Sequence, residues 1–290
     1  MPYWWQVCEP HNAFQNPAAI DESLFAATLG RVFAGSAARS EYMDPKQFFE
    51  LTYFSVILNQ TIRDVGSRMK GGDGPAVTEM QTPFGGGKTH ALLTLYHLIN
   101  SPAESLAVPG VKEALGDIEI PSGARVLVFD GQEWGTEQIE KETGYSVSTL
   151  WGELAYQVSP ETYRRHVAQS DEKGEAPGNA VYVNVLEAAA PCVILLDELV
   201  SYLVKLRFAN SRRTQNLYRQ TVQFVQEMLQ LASNVKGVCV LISLPKSVTE
   251  FGGIDPRQIQ MEIGIVDDLQ ARADRVVSKR TPVNDDEIYT

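Results

Sequence analysis

The sequence predicts an α/β protein: a parallel sheet flanked by helices and preceded by a helical N-terminal region. Three observations carry that reading. Short apolar runs at 76–81, 125–129, 192–196 and 238–244 alternate with segments of helical period, and strands that read as unbroken apolar runs are those buried on both faces of a parallel sheet. A glycine-rich turn joins the first run to a helix. Everything before Gly71 that shows a period shows the helical one. The expected division is a helical region at 1–71 and a sheet-containing core at 72–290.

Taken in order, Ala26 to Phe33 and Pro45 to Met69 carry apolar residues at helical spacing. In the second stretch Phe48, Phe49, Leu51, Phe54, Ile57, Leu58, Ile62 and Val65 make one wide apolar face. Asp44 and Pro45 are a good start for it, because aspartate accepts from free N–H groups and proline fits the first turn. Gly71-Gly72-Asp73-Gly74-Pro75 stops it; no helix follows this cluster, so it reads as a connecting turn. Ala76 to Gln81 is a strand, and His90 to Ile99 a helix with Ala91, Leu92, Leu95, Leu98 and Ile99 on one face, ended by Asn100-Ser101-Pro102. Arg125 to Phe129, Cys192 to Leu196 and Val238 to Leu244 are further strands, the last preceded by a long helix over about Gln215 to Ser233. Ser170 to Ala180 reads as an exposed loop. Thr281 to Ile288 reads as a helix being capped and begun, from which a longer protein is expected.

Composition excludes several classes. The 290 residues include 36 acidic and 25 basic ones, a formal charge of −11. That balance argues against a surface built to grip nucleic acid or an anionic membrane, and little direct nucleic-acid binding is expected. Cys8, Cys192 and Cys239 show neither metal-ligand spacing nor a disulfide framework, and read as small buried hydrophobes in a reducing compartment. No run approaches the roughly 18 apolar residues that span a bilayer, and Met1-Pro2-Tyr3-Trp4-Trp5 has no signal-like character. A cytoplasmic protein with no membrane segment is expected.

The chemistry concentrates in Gln81-Thr82-Pro83-Phe84-Gly85-Gly86-Gly87-Lys88-Thr89-His90, between a strand and a helix. Three glycines let the backbone curl so that successive N–H groups point at phosphate oxygens, and the following helix adds its positive end. Pro83 through His90 are the expected nucleotide-binding residues, with Lys88 reaching the β- and γ-phosphates of ATP and the Thr89 hydroxyl a ligand of Mg²⁺. The usual pattern opens with glycine; here Thr82 stands in that place. The second signal is Cys192-Val193-Ile194-Leu195-Leu196-Asp197-Glu198, a buried strand ending in two carboxylates at the sheet edge where the glycine loop opens. Asp197 is expected in the Mg²⁺ shell and Glu198 as the group that polarises the attacking water. The third is Ser243, ending the run Val240-Leu241-Ile242, either a sensor of the γ-phosphate or a hydroxyl satisfying backbone groups.

Other candidates read more plainly as structure. Arg207, Arg212, Arg213 and Arg219 could supply a catalytic cation, but a solvated helix face explains them better. Trp4, Trp5, Trp134 and Trp151 suit packing, and His90 and His97 lack a third metal ligand.

With these motifs in place the chain resembles a family of large bacterial and archaeal P-loop ATPases long known only as a domain of unknown function. That family includes the ATPase of BREX phage-exclusion systems and proteins encoded beside DNA methyltransferases. The resemblance lies in Phe25-Ala26-Ala27-Thr28-Leu29, in Tyr42 to Phe49, in Gln81 to Tyr96, in Leu195 to Glu198 and in Ser243-Leu244-Pro245. It implies an additional-strand, AAA-like ATPase core with the Ser243 strand between the strands carrying the glycine loop and Asp197-Glu198. It also implies that any second sensor lies beyond Thr290.

The functional expectation is an ATP-binding and ATP-hydrolysing domain with Lys88, Glu198 and Ser243 as catalytic groups. It would serve as motor or switch among the protein partners of a phage-defence or DNA-methylation assembly, with homo-oligomerisation left open. The alternatives are a nucleotide-binding scaffold without turnover and a P-loop kinase. A kinase needs an acceptor pocket and a lid, neither of which the sequence offers.

Overall fold

The computed structural model describes residues 28–37, 40–82, 87–209, 211–245, 263–267, 269 and 277–282. The chain opens with short helices α1 (Leu29–Phe33), α2 (Ser40–Met43) and α3 (Pro45–Glu50), then the longer α4 (Val56–Met69). Strand β1 (Val77–Thr82) leads to α5 (Lys88–Asn100), α6 (Pro102–Leu106) and α7 (Pro109–Leu115). After β2 (Arg125–Asp130) comes a small ribbon, β3 (Ile139–Glu140) with β4 (Ser146–Val147). A helical layer follows: α8 (Leu150–Val158), α9 (Pro160–Thr162), a π-helical turn at Tyr163–Val167, α10 (Ala168–Lys173) and α11 (Asn179–Ala189). The chain then forms β5 (Cys192–Asp197), α12 (Leu199–Phe208), α13 (Arg212–Asn234), β6 (Val238–Pro245) and β7 (Val277–Arg280).

The main sheet has the order β2-β5-β6-β1-β7, and every pairing in it is parallel. β6, which carries Ser243, lies between β5 and β1, the order implied by the resemblance. Parallel strands covered on both faces should send alternate residues into two apolar layers. They do. Ile194 and Leu196 join Trp151, Leu186, Tyr202 and Phe224 on one side of the sheet. Val193 and Leu195 join Phe48, Phe49, Ile62, Leu92 and Leu95 on the other. The N-terminal helices therefore share an apolar layer with α5 and the sheet. Arg68 of α4 crosses to the end of α13, donating to the carbonyls of Ala232 at 2.8 Å, Val235 at 3.1 Å and Val238 at 3.0 Å. A guanidinium there satisfies the acceptors that a helix C-terminus leaves open. Cys192 and Cys239 are buried free thiols in β5 and β6.

Two expectations are corrected. The segment from Pro45 to Met69 is two helices, broken at Leu51–Ser55. The break is local chemistry: the Thr52 hydroxyl turns back to the Phe48 carbonyl at 2.7 Å, and Ser55 caps α4 by accepting from Leu58 N at 3.0 Å. Ser170 to Ala180 is an open loop only over 174–178; α10 runs through Lys173 and α11 starts at Asn179.

Within α10, Asp171 is fully buried. Its carboxylate accepts from Ser148 N at 3.2 Å, from the Thr149 hydroxyl and from Tyr163 Oη at 2.9 Å. Removing it strands Ser148 N and the Thr149 hydroxyl in the interior, while Tyr163 Oη keeps the Ser146 carbonyl at 3.1 Å. Asp171→Ala is therefore expected to cost about 3 kcal/mol of stability, read as a lower urea midpoint. An unchanged midpoint would mean that water reaches those donors.

Candidate functional site

The loop's first residues, Pro83 to Gly86, lie outside the described residues; its last ones are described. Gly87 takes a left-handed conformation, φ 80°, as N-cap of α5, which glycine adopts without steric cost. Lys88 and Thr89 form the first turn of that helix, where free N–H groups and the helix dipole favour an anion.

Asp197 ends β5, two strands away from β1, and Glu198 follows as the N-cap of α12. Asp197 is buried, at 2% exposure. It is joined by the Ser243 hydroxyl from β6 and by the Thr89 hydroxyl from α5. The structure thus brings Thr89, Asp197 and Ser243 into one hydrogen-bonded group. Glu198 follows with φ 50°, the one non-glycine residue of positive φ among those described. Such a conformation costs on the order of 1 kcal/mol and persists only where neighbours impose it. Here they do: Glu198 N donates to Ser243 Oγ and to Asp197 Oδ1, each at 3.2 Å. Gly131 lies against the Glu198 carbonyl so closely that a β-carbon there would collide with it. The Glu198 carboxylate accepts from the Ser201 hydroxyl at 2.8 Å. Ser243 therefore gives its proton to Asp197 and its lone pair to Glu198 N–H, so any sensing role runs through those two residues.

His90, also expected at the nucleotide, has its ring engaged elsewhere. It stacks on Phe48 at 4.5 Å, and its Nε2 lies 3.0 Å from Thr52 Oγ1. The Thr52 proton is directed to Phe48 O, so Nε2 is the donor in this pair. Burial, with His97 nearby, pushes the His90 pKa down to about 4, which leaves the ring neutral at pH 7. It ties the glycine loop's helix to α3. His97 packs on Phe48 as well, and its Nε2 lies 2.8 Å from the Tyr42 carbonyl.

Sequence reasoning missed Asp130. It ends β2 in register with Asp197, and its carboxylate accepts from Gly30 N and Gln132 N at 2.8 and 2.9 Å. The signal was present: Val126-Leu127-Val128-Phe129-Asp130 has the form of Val193-Ile194-Leu195-Leu196-Asp197. Lys205, one helix beyond Glu198, fastens the turn after Asp130 by donating to the carbonyls of Gly131, Gln132 and Trp134 at 3.0, 2.5 and 2.9 Å. Of the arginines, Arg207 lies over the Tyr218 ring, 5.2 Å from its centre, while Arg212 and Arg213 are exposed at the start of α13. Trp151 is core.

Burial, together with the charges of Asp130 and Glu198, lifts the Asp197 pKa to about 6 against the opposing hydroxyls of Ser243 and Thr89. Since the unfolded value is near 3.9, the metal-free protein loses stability as pH climbs from about 4 to about 6 and carries the full penalty above that window. Asp197→Asn removes the penalty. The metal-free variant is expected to be more stable than wild type at pH 7, by on the order of 3 kcal/mol, and no more stable at pH 4. Thermal melts at the two pH values test it, and equal melting temperatures at pH 7 would show that Asp197 bears no buried charge.

A parallel α/β sheet with a glycine turn opening a helix at one edge, and a buried acid ending a nearby strand, defines a P-loop-NTPase-like fold. The chain belongs to the DUF499 N-terminal domain family, whose match covers residues 17–281. No curated protein and no solved structure matches it. Among the described residues no helix is long and apolar enough to cross a membrane.

Proposed function

We propose that this chain binds Mg-ATP at the glycine loop and hydrolyses it. The observation that carries the reading is the convergence of Thr89 and Ser243 on Asp197, with Glu198 held next to it by backbone and side-chain contacts. The donor set suits magnesium. Among the described residues no group of three or more His, Cys, Asp or Glu side chains forms a cage; Mg²⁺ prefers one or two protein oxygens, completed by water and phosphate. Asp197 and Thr89 would hold it, and the ion would supply charge neutralisation at the phosphates. The backbone N–H groups at Gly85 to Thr89 and the Lys88 ammonium would orient the β- and γ-phosphates. Glu198 would take the proton of the attacking water, its carboxylate steered by Ser201. Ser243 would keep Asp197 and the Glu198 backbone in place.

The narrower placement, as motor or switch of a phage-exclusion or DNA-methylation assembly in the cytoplasm, rests on the segments that resemble that ATPase family. Steady-state phosphate release from ATP, with and without Mg²⁺, tests the hydrolytic reading. Binding without Mg²⁺-dependent release would make the chain a nucleotide-binding scaffold.

A further inference from the structure

The break between α3 and α4 is tied at both ends to residues that adjoin the described end of the glycine loop. At one end of it Thr52 is joined to His90, the residue directly after Thr89. At the other, Ser55 Oγ donates to the Pro282 carbonyl at 2.5 Å, just beyond β7. Pro282 in turn borders the loop: a β-carbon on Gly87 would stand 3.9 Å from the Pro282 side chain. The four residues Thr52 to Ser55 are therefore pinned at both ends to groups that adjoin Gly87 and Thr89. Within this span Phe54 turns inward, stacked on Phe49 at 6.1 Å and against Gly110. Tyr53 does not. It is 64% exposed, an aromatic ring left in water on a segment held at both ends.

An exposed aromatic on a fixed turn beside a phosphate site has an evident use. Once the triphosphate is held at the helix start, the rest of the nucleotide must leave the loop, and a base gains most by covering a planar apolar surface. From this placement we propose that Tyr53 is the stacking platform for the nucleobase, with Ser55 and Pro282 fixing its position relative to the loop. The proposal rests on the nucleotide-binding reading above and adds the residue that distinguishes a nucleotide from a bare polyphosphate. Stacking is tolerant of base identity, so Tyr53 would contribute affinity for nucleoside triphosphates generally rather than a choice among them.

The test compares two probes, Mg-ATP and Mg-tripolyphosphate, on the 290-residue chain and its variants. Tyr53→Ala is expected to weaken Mg-ATP binding about 5- to 150-fold, the range for one base–aromatic stack, and to leave tripolyphosphate unchanged. Tyr53→Phe, which keeps the ring, should bind ATP as wild type does. Wild-type ATP affinity in Tyr53→Ala would overturn the proposal. So would an equal loss on both probes, which would assign Tyr53 to holding the loop. Failure of the underlying reading looks different: wild type would then bind neither probe, or Lys88→Ala would bind both as wild type does.

Discussion

Glu198→Gln is expected to abolish turnover almost completely while ATP binding survives. The amide keeps the length and shape of the carboxylate and can still accept from Ser201 Oγ, which lies 2.8 Å from Glu198 Oε2. The backbone contacts to Ser243 and Asp197 do not involve the side chain, so the left-handed turn persists. What would disappear is the proposed base, and positioned proton transfer contributes about 10²–10⁴ in rate. Phosphate release by the two proteins should therefore differ by at least about 100-fold, and fluorescent-ATP titration should give similar dissociation constants. Turnover at the wild-type rate would remove Glu198 from the reaction.

Several features of this site were open to sequence reasoning because strand ends write themselves plainly. An apolar run that stops at an acid, as at Asp197, places that residue at the carboxyl end of its strand, and Ser243 stands two residues before the end of β6. The same grammar at Asp130 went unread, since the run was closed one residue early at Phe129. Strand order was beyond periodicity altogether. Only the place of β6 between β5 and β1 followed from the family resemblance; the positions of β2 and β7 at the two edges did not, because no local pattern says which buried strands are neighbours. The break at Leu51–Ser55 was hidden for a different reason: Leu51, Phe54, Ile57 and Leu58 continue a helical apolar spacing across it. The hydroxyls of Thr52 and Ser55 overrule that spacing by taking backbone partners, a competition apparent only once a partner is in reach. Asp171 was lost in the same way. A charged residue in a polar stretch reads as solvated until its donors, more than twenty positions back at Ser148 and Thr149, are brought to it by the fold.

Lys88→Ala is expected to weaken ATP binding by roughly 10- to 150-fold, the equivalent of a charge-assisted contact of about 1.5–3 kcal/mol. Lys88 opens α5, so its ammonium and the helix's unpaired N–H groups would act on the same phosphates. Alanine removes the first and leaves the second, and it favours the helix as well as lysine does. The loss should therefore appear in affinity with little change in melting temperature. Lys88→Arg is not expected to restore binding, because a planar guanidinium fork does not replace a compact ammonium point charge. Residual affinity in Lys88→Ala should fall with added salt no faster than in wild type, since the backbone donors carry only partial charge. Titration of both variants beside wild type gives the answer. Equal dissociation constants for wild type and Lys88→Ala would place the nucleotide elsewhere and leave the hydroxyls gathered on Asp197 as architecture alone.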